Sequence, residues 1–270
     1  MELPIAATSS QNPADVLRRA VHRASIVFGR IAAEENAIEG GQCFTNPDRP
    51  NVRSANFAAE LSADGGAALL HEIDDHFACR NAVCHTILGP ETDWPVTFQE
   101  ALVQRGFQPV TRHVLRLERT HPIEHRQVNV QIIPARAAYK SLTGLYQRMA
   151  EHEHHADPRL VTDLTATCID RLDEHRLDLF VARVERDAAC VAGVLCLGQI
   201  GLIDPAYCDP RFRGQGIAAA LMAHVLEHCR RAMFEHVIVD RSEGCPAIPF
   251  YESLGFTKAA SYVKYRRLVP

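Results

Sequence analysis

The chain has 270 residues, 47% of them hydrophobic, which is enough to bury a substantial core in one large domain or two small ones. A formal net charge of −4, the lack of any run of Lys and Arg, and the lack of any stretch near the roughly 18 apolar residues of a membrane span argue against nucleic acid and membranes as partners. Nine singly placed cysteines without a C-x-x-C pair, and an N-terminus without a secretory signal, predict reduced thiols and a cytoplasmic protein.

The first half of the chain contains predicted helices and strands that end at a polar segment. A helix begins at residues 67–70 and is followed by a strand over 82–87, a helix over 96–105, the dipeptide Gly106-Phe107 and a strand over 110–118. Residues 119–127 are polar and contain proline, so we expect a boundary between two units there.

The second half is predicted to run β-α-α-β-β-β-α-β-α-β. A strand over 128–133 precedes helices over 136–150 and 158–172, and a hairpin of 177–185 and 190–199 leads to a strand over 201–208. A helix over 217–231, a strand over 236–239, a helix over 247–254 and a strand over 261–268 complete the order.

The two halves resemble each other at a nearly constant offset. The helices that begin at residues 67 and 219 are 152 positions apart, and the Gly-Phe dipeptides that begin at Gly106 and Gly255 are 149 apart. Changes in turn length explain a drift of this size. We therefore predict a tandem duplication of one α/β unit, with domains over 1–122 and 123–270, against the alternative of chance similarity between two α/β segments.

The junction over residues 208–219, Cys-Asp-Pro-Arg-Phe-Arg-Gly-Gln-Gly-Ile-Ala-Ala, joins a predicted strand to a predicted helix. Gly214 and Gly216 permit a sharp turn and a close approach of the backbone to a ligand. The first amides of the helix would then point outward, where the helix dipole favours an anion, and Arg213 adds a positive charge. The junction predicts a phosphate site, although an ordinary strand-turn-helix is the alternative for two glycines taken alone.

Two motifs together resemble the GNAT superfamily of acyl-coenzyme A-dependent N-acyltransferases. The family's pyrophosphate loop, Arg/Gln-x-x-Gly-x-Gly/Ala, matches the residues from Arg213 to Ala218, and its helical Tyr-x-x-x-Gly-Phe matches those from Tyr251 to Phe256. The resemblance implies the acyl-coenzyme A N-acyltransferase fold, of class α/β (α+β) with two tandem mixed-sheet units. It also implies acetyl-coenzyme A, or another acyl-coenzyme A, as co-substrate, and no metal.

The N-terminal unit is expected to be a degenerate copy that does not bind the coenzyme. At the same offsets, the segment 61–66 lacks the arginine and carries Asp64, whose charge would oppose a pyrophosphate, and Leu102 takes the place of Tyr251.

The resemblance assigns roles to residues of the second half. The strand before the loop is expected to splay from its neighbour, so that its main chain pairs with the pantetheine arm and an amide near Tyr207 and Cys208 faces the acyl carbonyl. Tyr251 would protonate the departing sulfur, with core packing of its ring as the alternative. Asp204 is the first candidate for the general base, with a solvent-facing role as the alternative, and Glu185 and Glu243 are further candidates.

The predicted coenzyme-binding residues are Ala206, Tyr207, Cys208, Arg213, Gly214, Gln215, Gly216, Ile217 and Ala218.

The cluster of His152, His154 and His155 has several interpretations. It lacks the i, i+4 spacing of a helical zinc pair, so no metal site is predicted. The resemblance places this connection beside the acceptor pocket, where the histidines would shape acceptor binding or accept a proton, and a solvated loop is the alternative.

The predicted activity is transfer of an acetyl group from acetyl-coenzyme A to a primary amine of a small molecule. A catalytically silent coenzyme A sensor or scaffold, and a protein-lysine acetyltransferase, are the alternatives. A small-molecule acceptor is favoured because the first half is large enough to wall a closed pocket. The sequence does not fix the acceptor, the acyl length or the oligomeric state, for which a homodimer is one option.

Overall fold

The computed structural model of the chain describes residues 12–89, 94–118, 128–154 and 158–267, with the backbone alone at 153 and 154. These residues form seven α-helices and a single mixed sheet of eleven strands. The predicted class, α/β with a large mixed sheet, is confirmed. The predicted boundary at 122/123 lies outside the described residues.

Six of the seven helices were predicted, and the first was not. The side chain of Asn12 caps this helix by accepting a hydrogen bond from the Ala14 amide at 3.1 Å, and Pro13 occupies the first helical position. Its buried stripe includes Leu17, Val21 and Ala24. The helices are α1 (Pro13–Ala32), α2 (Gly66–Ala78), α3 (Val96–Gln104), α4 (Tyr139–His154), α5 (Pro158–Asp170), α6 (Ile217–Arg231) and α7 (Ile248–Ser253).

The strands of the second half were predicted more completely than those of the first. The first three strands were not predicted, and the strand expected over 82–87 is paired over two residues only. The strands are β1 (Glu34–Ile38), β2 (Gly41–Thr45), β3 (Phe57–Ala59), β4 (Thr86–Ile87), β5 (Phe107–Leu117), β6 (Gln131–Pro134), β7 (Leu177–Val184), β8 (Asp187–Leu197), β9 (Ile200–Cys208), β10 (His236–Ser242) and β11 (Phe256–Arg267).

The strand order is nearly symmetric about its centre. It runs β1-β2-β3-β4-β11-β5-β10-β9-β8-β7-β6, so the last strand lies beside β4 and β5 lies beside β10. Outward from the antiparallel β5–β11 pair, β4 and β10, β3 and β9, β2 and β8, and β1 and β7 occupy equivalent places. The β3–β4 and β9–β10 pairs are the parallel ones. A duplicated unit that exchanges its last strand would give this order, and the duplication itself stays a prediction.

Helices cover the second half of the sheet on both faces. The α6 face packs Leu221 and Val225 against Val194 and Ile203. The opposite face carries α1 and α4, and the two helices share one apolar cluster with alternate residues of β7, β8 and β9. The sequence of β8 is accordingly apolar on both faces, as expected for a central strand. No helix among the described residues combines the length and apolar character that crossing a bilayer requires.

One cysteine pair departs from the predicted reduced state. Cys190 on β8 lies opposite Cys208 on β9, and the structure joins them in a disulfide. The prediction that all cysteines are free thiols was therefore wrong for this pair. The hairpin register brings the two together over a separation of 18 residues, which no local spacing reveals.

Candidate active site

The bend between β9 and α6 has the backbone that an anion site needs. Gly214 and Gly216 have φ values of +73° and +80°, in the region that side chains rarely allow, and a Cβ at Gly214 would meet no atom within 4 Å. Gly216 precedes α6 and offers no side-chain cap. The Ala220 amide makes the first intrahelical bond, to the Gly216 carbonyl oxygen at 3.0 Å, so the amides of 217–219 have no acceptor within the helix.

A buried carboxylate holds the start of this bend. Asp209 is 2% exposed and accepts hydrogen bonds from Arg148 Nε at 2.7 Å and from the Arg211 amide and Nη2 at 3.0 and 2.7 Å. Burial alone would raise the pKa of Asp209, but the hydrogen bonds from Arg211 and Arg148 hold it well below its ordinary value. The Arg213 and Gln215 side chains turn back onto backbone carbonyls, with Arg213 Nε donating to the Cys208 oxygen at 3.0 Å.

The strands β9 and β10 separate beside the bend. Their parallel pairing ends at Leu202 and Ile238, although β9 continues to Cys208 and β10 to Ser242. A β-bulge in the β8–β9 ladder lies just past this point. There, Gly193 of β8 faces two residues of β9, Asp204 and Pro205.

The alternation of hydrogen-bonded and non-bonded pairs between β8 and β9 decides which backbone amides of β9 face the gap between β9 and β10. The Asp209 amide donates to the Ala189 oxygen at 2.9 Å, and antiparallel pairs alternate between bonded and non-bonded. Cys208 and Ala206 therefore belong to non-bonded pairs, and their N–H and C=O groups point away from β8 into the gap. The Tyr207 amide is directed to β8, so the free donors lie on either side of it.

A cleft of about 620 Å³ runs along the α6 face at this gap. Five of the nine predicted coenzyme-binding residues line it, and the other four, at 214–217, form the bend and the first residue of α6. The five are Ala206, Tyr207, Cys208, Arg213 and Ala218.

Tyr251 lines the cleft from α7 and contacts an arginine that was not predicted. The phenol is buried, its oxygen accepts a hydrogen bond from Arg241 Nη2, and the Arg241 guanidinium lies 4.8 Å from the ring centroid. Burial raises the pKa of Tyr251, and the neighbouring Arg241 charge offsets this only in part, so the phenol is protonated at neutral pH. Arg241 follows the apolar run of β10. A charged residue at the carboxyl end of a buried strand was the sequence signal that could have identified it as a site residue.

A second cavity of about 450 Å³ lies on the α1 face of the sheet. Both halves of the chain line it, with Phe28 and Phe57 from the first half and Asp204 from the second. It shares Ala206, Tyr207 and Arg241 with the cleft, so the two spaces meet where β9 and β10 separate.

The candidate bases occupy different surroundings. Asp204 is half-buried in the wall of the second cavity. Burial lowers the pKa of Arg241, but the phenolic oxygen of Tyr251 and the charge of Asp204 help to raise it above its ordinary value. Asp204 therefore acts on the same pair of groups. Glu185 and Glu243 are exposed and line neither space.

The histidine cluster is described only in part. His152 is exposed near the end of α4, whereas the side chain of His154 and the whole of His155 lie outside the described residues. Within the described part of the chain, no three His, Cys, Asp or Glu side chains lie close enough together to hold a metal ion.

The corresponding places in the first half lack these features. Leu102 is fully buried in the apolar cluster beneath α2 and α3, and the turn before α2 carries Asp64, whose carboxylate lies 3.3 Å from the Ser62 hydroxyl.

Residues 139–256 match the model of the acetyltransferase (GNAT) family. The match covers less than half of the 270 residues and includes the bend, the splayed strands and Tyr251. The GNAT resemblance is therefore confirmed for this segment, and the match supports an acyl-coenzyme A-dependent N-acetyltransferase activity.

Two solved structures share the architecture over almost their full lengths. A functionally unknown conserved protein from Staphylococcus epidermidis ATCC 12228 has a TM-score of 0.64 at 14% identity, covering 88% of this chain and 96% of its own. A GCN5-related N-acetyltransferase from Kribbella flavida has a TM-score of 0.63 at 12% identity, covering 97% and 98%. These likenesses show that the two structures share the fold of this chain over most of its length. A comparison with curated proteins gives no match.

Proposed function

We propose that the protein transfers an acetyl group from acetyl-coenzyme A to the primary amine of a small molecule. The observation that carries this proposal is the meeting of two separate spaces at the splay of β9 and β10. One space adjoins an anion-binding bend, and the other is walled by both halves of the chain. A donor and an acceptor entering from opposite faces of the sheet would meet beside Asp204 and Tyr251.

The bend and the splayed strand suit acetyl-coenzyme A. Uncapped amides at the start of α6 match the two negative charges of a pyrophosphate. The N–H and C=O groups of Ala206 and the N–H group of Cys208 face the gap and match the amides of a pantetheine arm, whereas the Cys208 oxygen already accepts from Arg213 Nε. When bound, acetyl-coenzyme A supplies a thioester carbonyl and a thiolate leaving group.

Tyr251 is suited to deliver the proton that the leaving sulfur needs. Arg241 occupies an acceptor position on the phenolic oxygen, which leaves the phenolic hydrogen free to be donated elsewhere. After the transfer, the Arg241 charge stabilises the phenolate. The raised pKa of Tyr251 keeps the proton on the phenol until negative charge develops on the leaving sulfur, which then accepts the proton.

Asp204 is suited to accept the proton of the incoming ammonium, directly or through a water molecule. It lies in the wall of the second cavity, within the bulge of the β8–β9 ladder and just past the end of the β9–β10 pairing. Burial of the ammonium lowers the pKa of the amine, which eases removal of its proton.

The dimensions of the second cavity favour a small acceptor. Its volume of about 450 Å³ falls in the range of small-molecule sites, and α1 and the first half of the sheet close one side of it. The first half would serve as a wall without binding the coenzyme, because Asp64 and Leu102 replace the groups that the second half uses.

Release of free thiol from acetyl-coenzyme A in the presence of a panel of primary amines tests the proposal. Turnover with one or more amines, above hydrolysis without amine, is expected. Tight binding of acetyl-coenzyme A with no turnover across the panel would favour a silent sensor instead. Turnover with lysine-containing peptides but with no small amine would favour a protein-lysine acetyltransferase.

A further inference from the structure

The second cavity carries an excess of positive charge. Six cationic and two acidic residues line it, and burying unbalanced charge is costly unless a partner of opposite sign is supplied. The cationic residues are Arg53, Arg112, Arg171, Arg241, Lys264 and Arg266, and the acidic ones are Asp204 and Asp240.

One of the two acids is already neutralised. Asp240 accepts hydrogen bonds from Arg112 Nε at 3.1 Å and Nη2 at 2.6 Å, and from the Tyr262 hydroxyl at 2.9 Å. Burial lowers the pKa of Arg112, but the charge and hydrogen bonds of Asp240 raise it well above its ordinary value. This pair therefore cancels and leaves five cations, with Asp204 as the remaining acid among the residues that line the cavity.

Two of the remaining cations lie side by side on β11. Alternate residues of a strand share a face, so Lys264 and Arg266 point to the cavity, whereas Tyr265 packs in the core of the first half. Neither cation has a hydrogen bond or ion pair with a residue that the structure describes. Burial and the charges of Arg112 and Arg266 lower the pKa of Lys264 to about 7. Burial and the charges of Arg112 and Arg53 lower the pKa of Arg266.

Arg171 adds a positive charge to the same wall. Its guanidinium lies 4.2 Å from the centroid of the Phe28 ring, and its Nε atom is buried without a hydrogen-bond partner among the described residues. The Nε atom has almost no accessible surface, so Arg171 contributes its charge to the wall and not this donor.

We infer that the acceptor is a zwitterion, an amine that also carries a carboxylate or a phosphate. Its ammonium end would lie beside Asp204, where the two spaces meet, and its anionic end beside Lys264 and Arg266. The phosphates of the coenzyme do not supply this counter-charge, because the bend that suits them lies on the α6 face and the cavity lies on the α1 face. The inference rests on the proposed function in that the acceptor occupies the second cavity.

A set of amines that differ in their distal group tests the inference. We expect kcat/KM for γ-aminobutyrate or phosphoethanolamine to exceed that for butylamine and putrescine by at least about 30-fold, because each added cation–anion contact at a half-buried site contributes severalfold to binding. The better of the two anionic amines distinguishes a carboxylate site from a phosphate site. Equal rates for butylamine and γ-aminobutyrate, with phosphoethanolamine no better, would overturn the inference.

Charge-neutralising variants locate the anion site. Arg266→Gln should lower kcat/KM for the anionic amine at least about tenfold more than it lowers kcat/KM for butylamine. Arg53→Gln, at an exposed position, should act in the same direction without disturbing the core. Arg230→Gln is the matched control, because it removes one positive charge from the exposed face of α6. An equal loss for all amines, or an equal effect of Arg230→Gln, would contradict the assignment.

A binding measurement separates this inference from the proposed function. Calorimetric titration of γ-aminobutyrate and phosphoethanolamine into the intact protein needs no turnover. Binding of either that weakens in Arg266→Gln supports an anion site even if no amine is acetylated. Acetylation of amines without any preference for the anionic ones removes the inference and leaves the transferase.

Discussion

Replacing Tyr251 by phenylalanine removes one oxygen atom from the cleft and keeps the buried ring. If the phenol protonates the leaving sulfur, the loss should lower kcat by roughly 100-fold to 10,000-fold, the usual contribution of a positioned general acid. Binding of acetyl-coenzyme A should change little, since the expected contacts of the coenzyme are with the bend and the main chain of β9.

The same substitution has a structural cost that can be separated from the catalytic one. Tyr251→Phe leaves the buried Arg241 guanidinium without its phenolic acceptor, which should cost about 1.5–3 kcal/mol of folding free energy. Tyr265→Phe is the matched control, because that phenol is also buried and donates to Gln99 Oε1 at 3.0 Å in the core of the first half. The control should lose about 1 kcal/mol and no activity.

Three measurements on each variant decide between the two effects. They are the melting temperature, the dissociation constant of acetyl-coenzyme A by calorimetry, and kcat for thiol release at saturating substrates. The general-acid role would be refuted if kcat of Tyr251→Phe stayed within about threefold of wild type while the protein remained folded and bound acetyl-coenzyme A normally.

Further predictions concern the base, the bend and the packing of α1. Asp204→Asn should lower kcat, measured on the folded protein, about tenfold or more, and an unchanged kcat would exclude it as the base. Because the pKa of Asp209 is lowered in the folded protein, its contribution to stability is complete above its unfolded pKa of about 4 and is lost as the pH falls further. In urea titrations, wild type should therefore lose stability relative to Asp209→Asn below about pH 4, and parallel pH profiles would count against this. Gly29→Ala should destabilise the fold by about 1–3 kcal/mol, since the added methyl group would lie 2.6 Å from the Phe57 ring, and a melting temperature equal to wild type would show that α1 shifts freely.

The elements that carry the proposed coenzyme site were predictable because their signals are local. Two glycines after a strand predicted the bend, and α6 begins and ends at the predicted residues. Tyr251 lies on the short predicted helix before Gly255-Phe256, and its position in the cleft wall depends only on this local connection.

The proposed acceptor side was not predictable, because it is assembled from distant parts of the chain. β11 inserts beside β4, and α1 crosses the face opposite α6, so residues such as Arg53 and Lys264 meet only in the folded molecule. Alternation along β11 predicts that Lys264 and Tyr265 face opposite sides, but not which side adjoins a cavity. The ion pair of Arg112 with Asp240 likewise joins residues 128 positions apart.

The most direct test of the central claim is calorimetric titration of acetyl-coenzyme A into wild type and two glycine variants. Gly214 and Gly198 are both exposed, both have φ of +73°, and a Cβ at either would meet no atom within 4 Å, so Gly214→Glu and Gly198→Glu carry equal backbone strain and equal added charge. Only Gly214→Glu places its carboxylate beside the pyrophosphate. Two unit charges about 6 Å apart at an effective dielectric constant of about 20 repel by about 3 kcal/mol, so binding should weaken roughly 100-fold in this variant and should stay within about twofold of wild type in Gly198→Glu. Absence of binding by wild type, or equal binding by the two variants, would contradict the account.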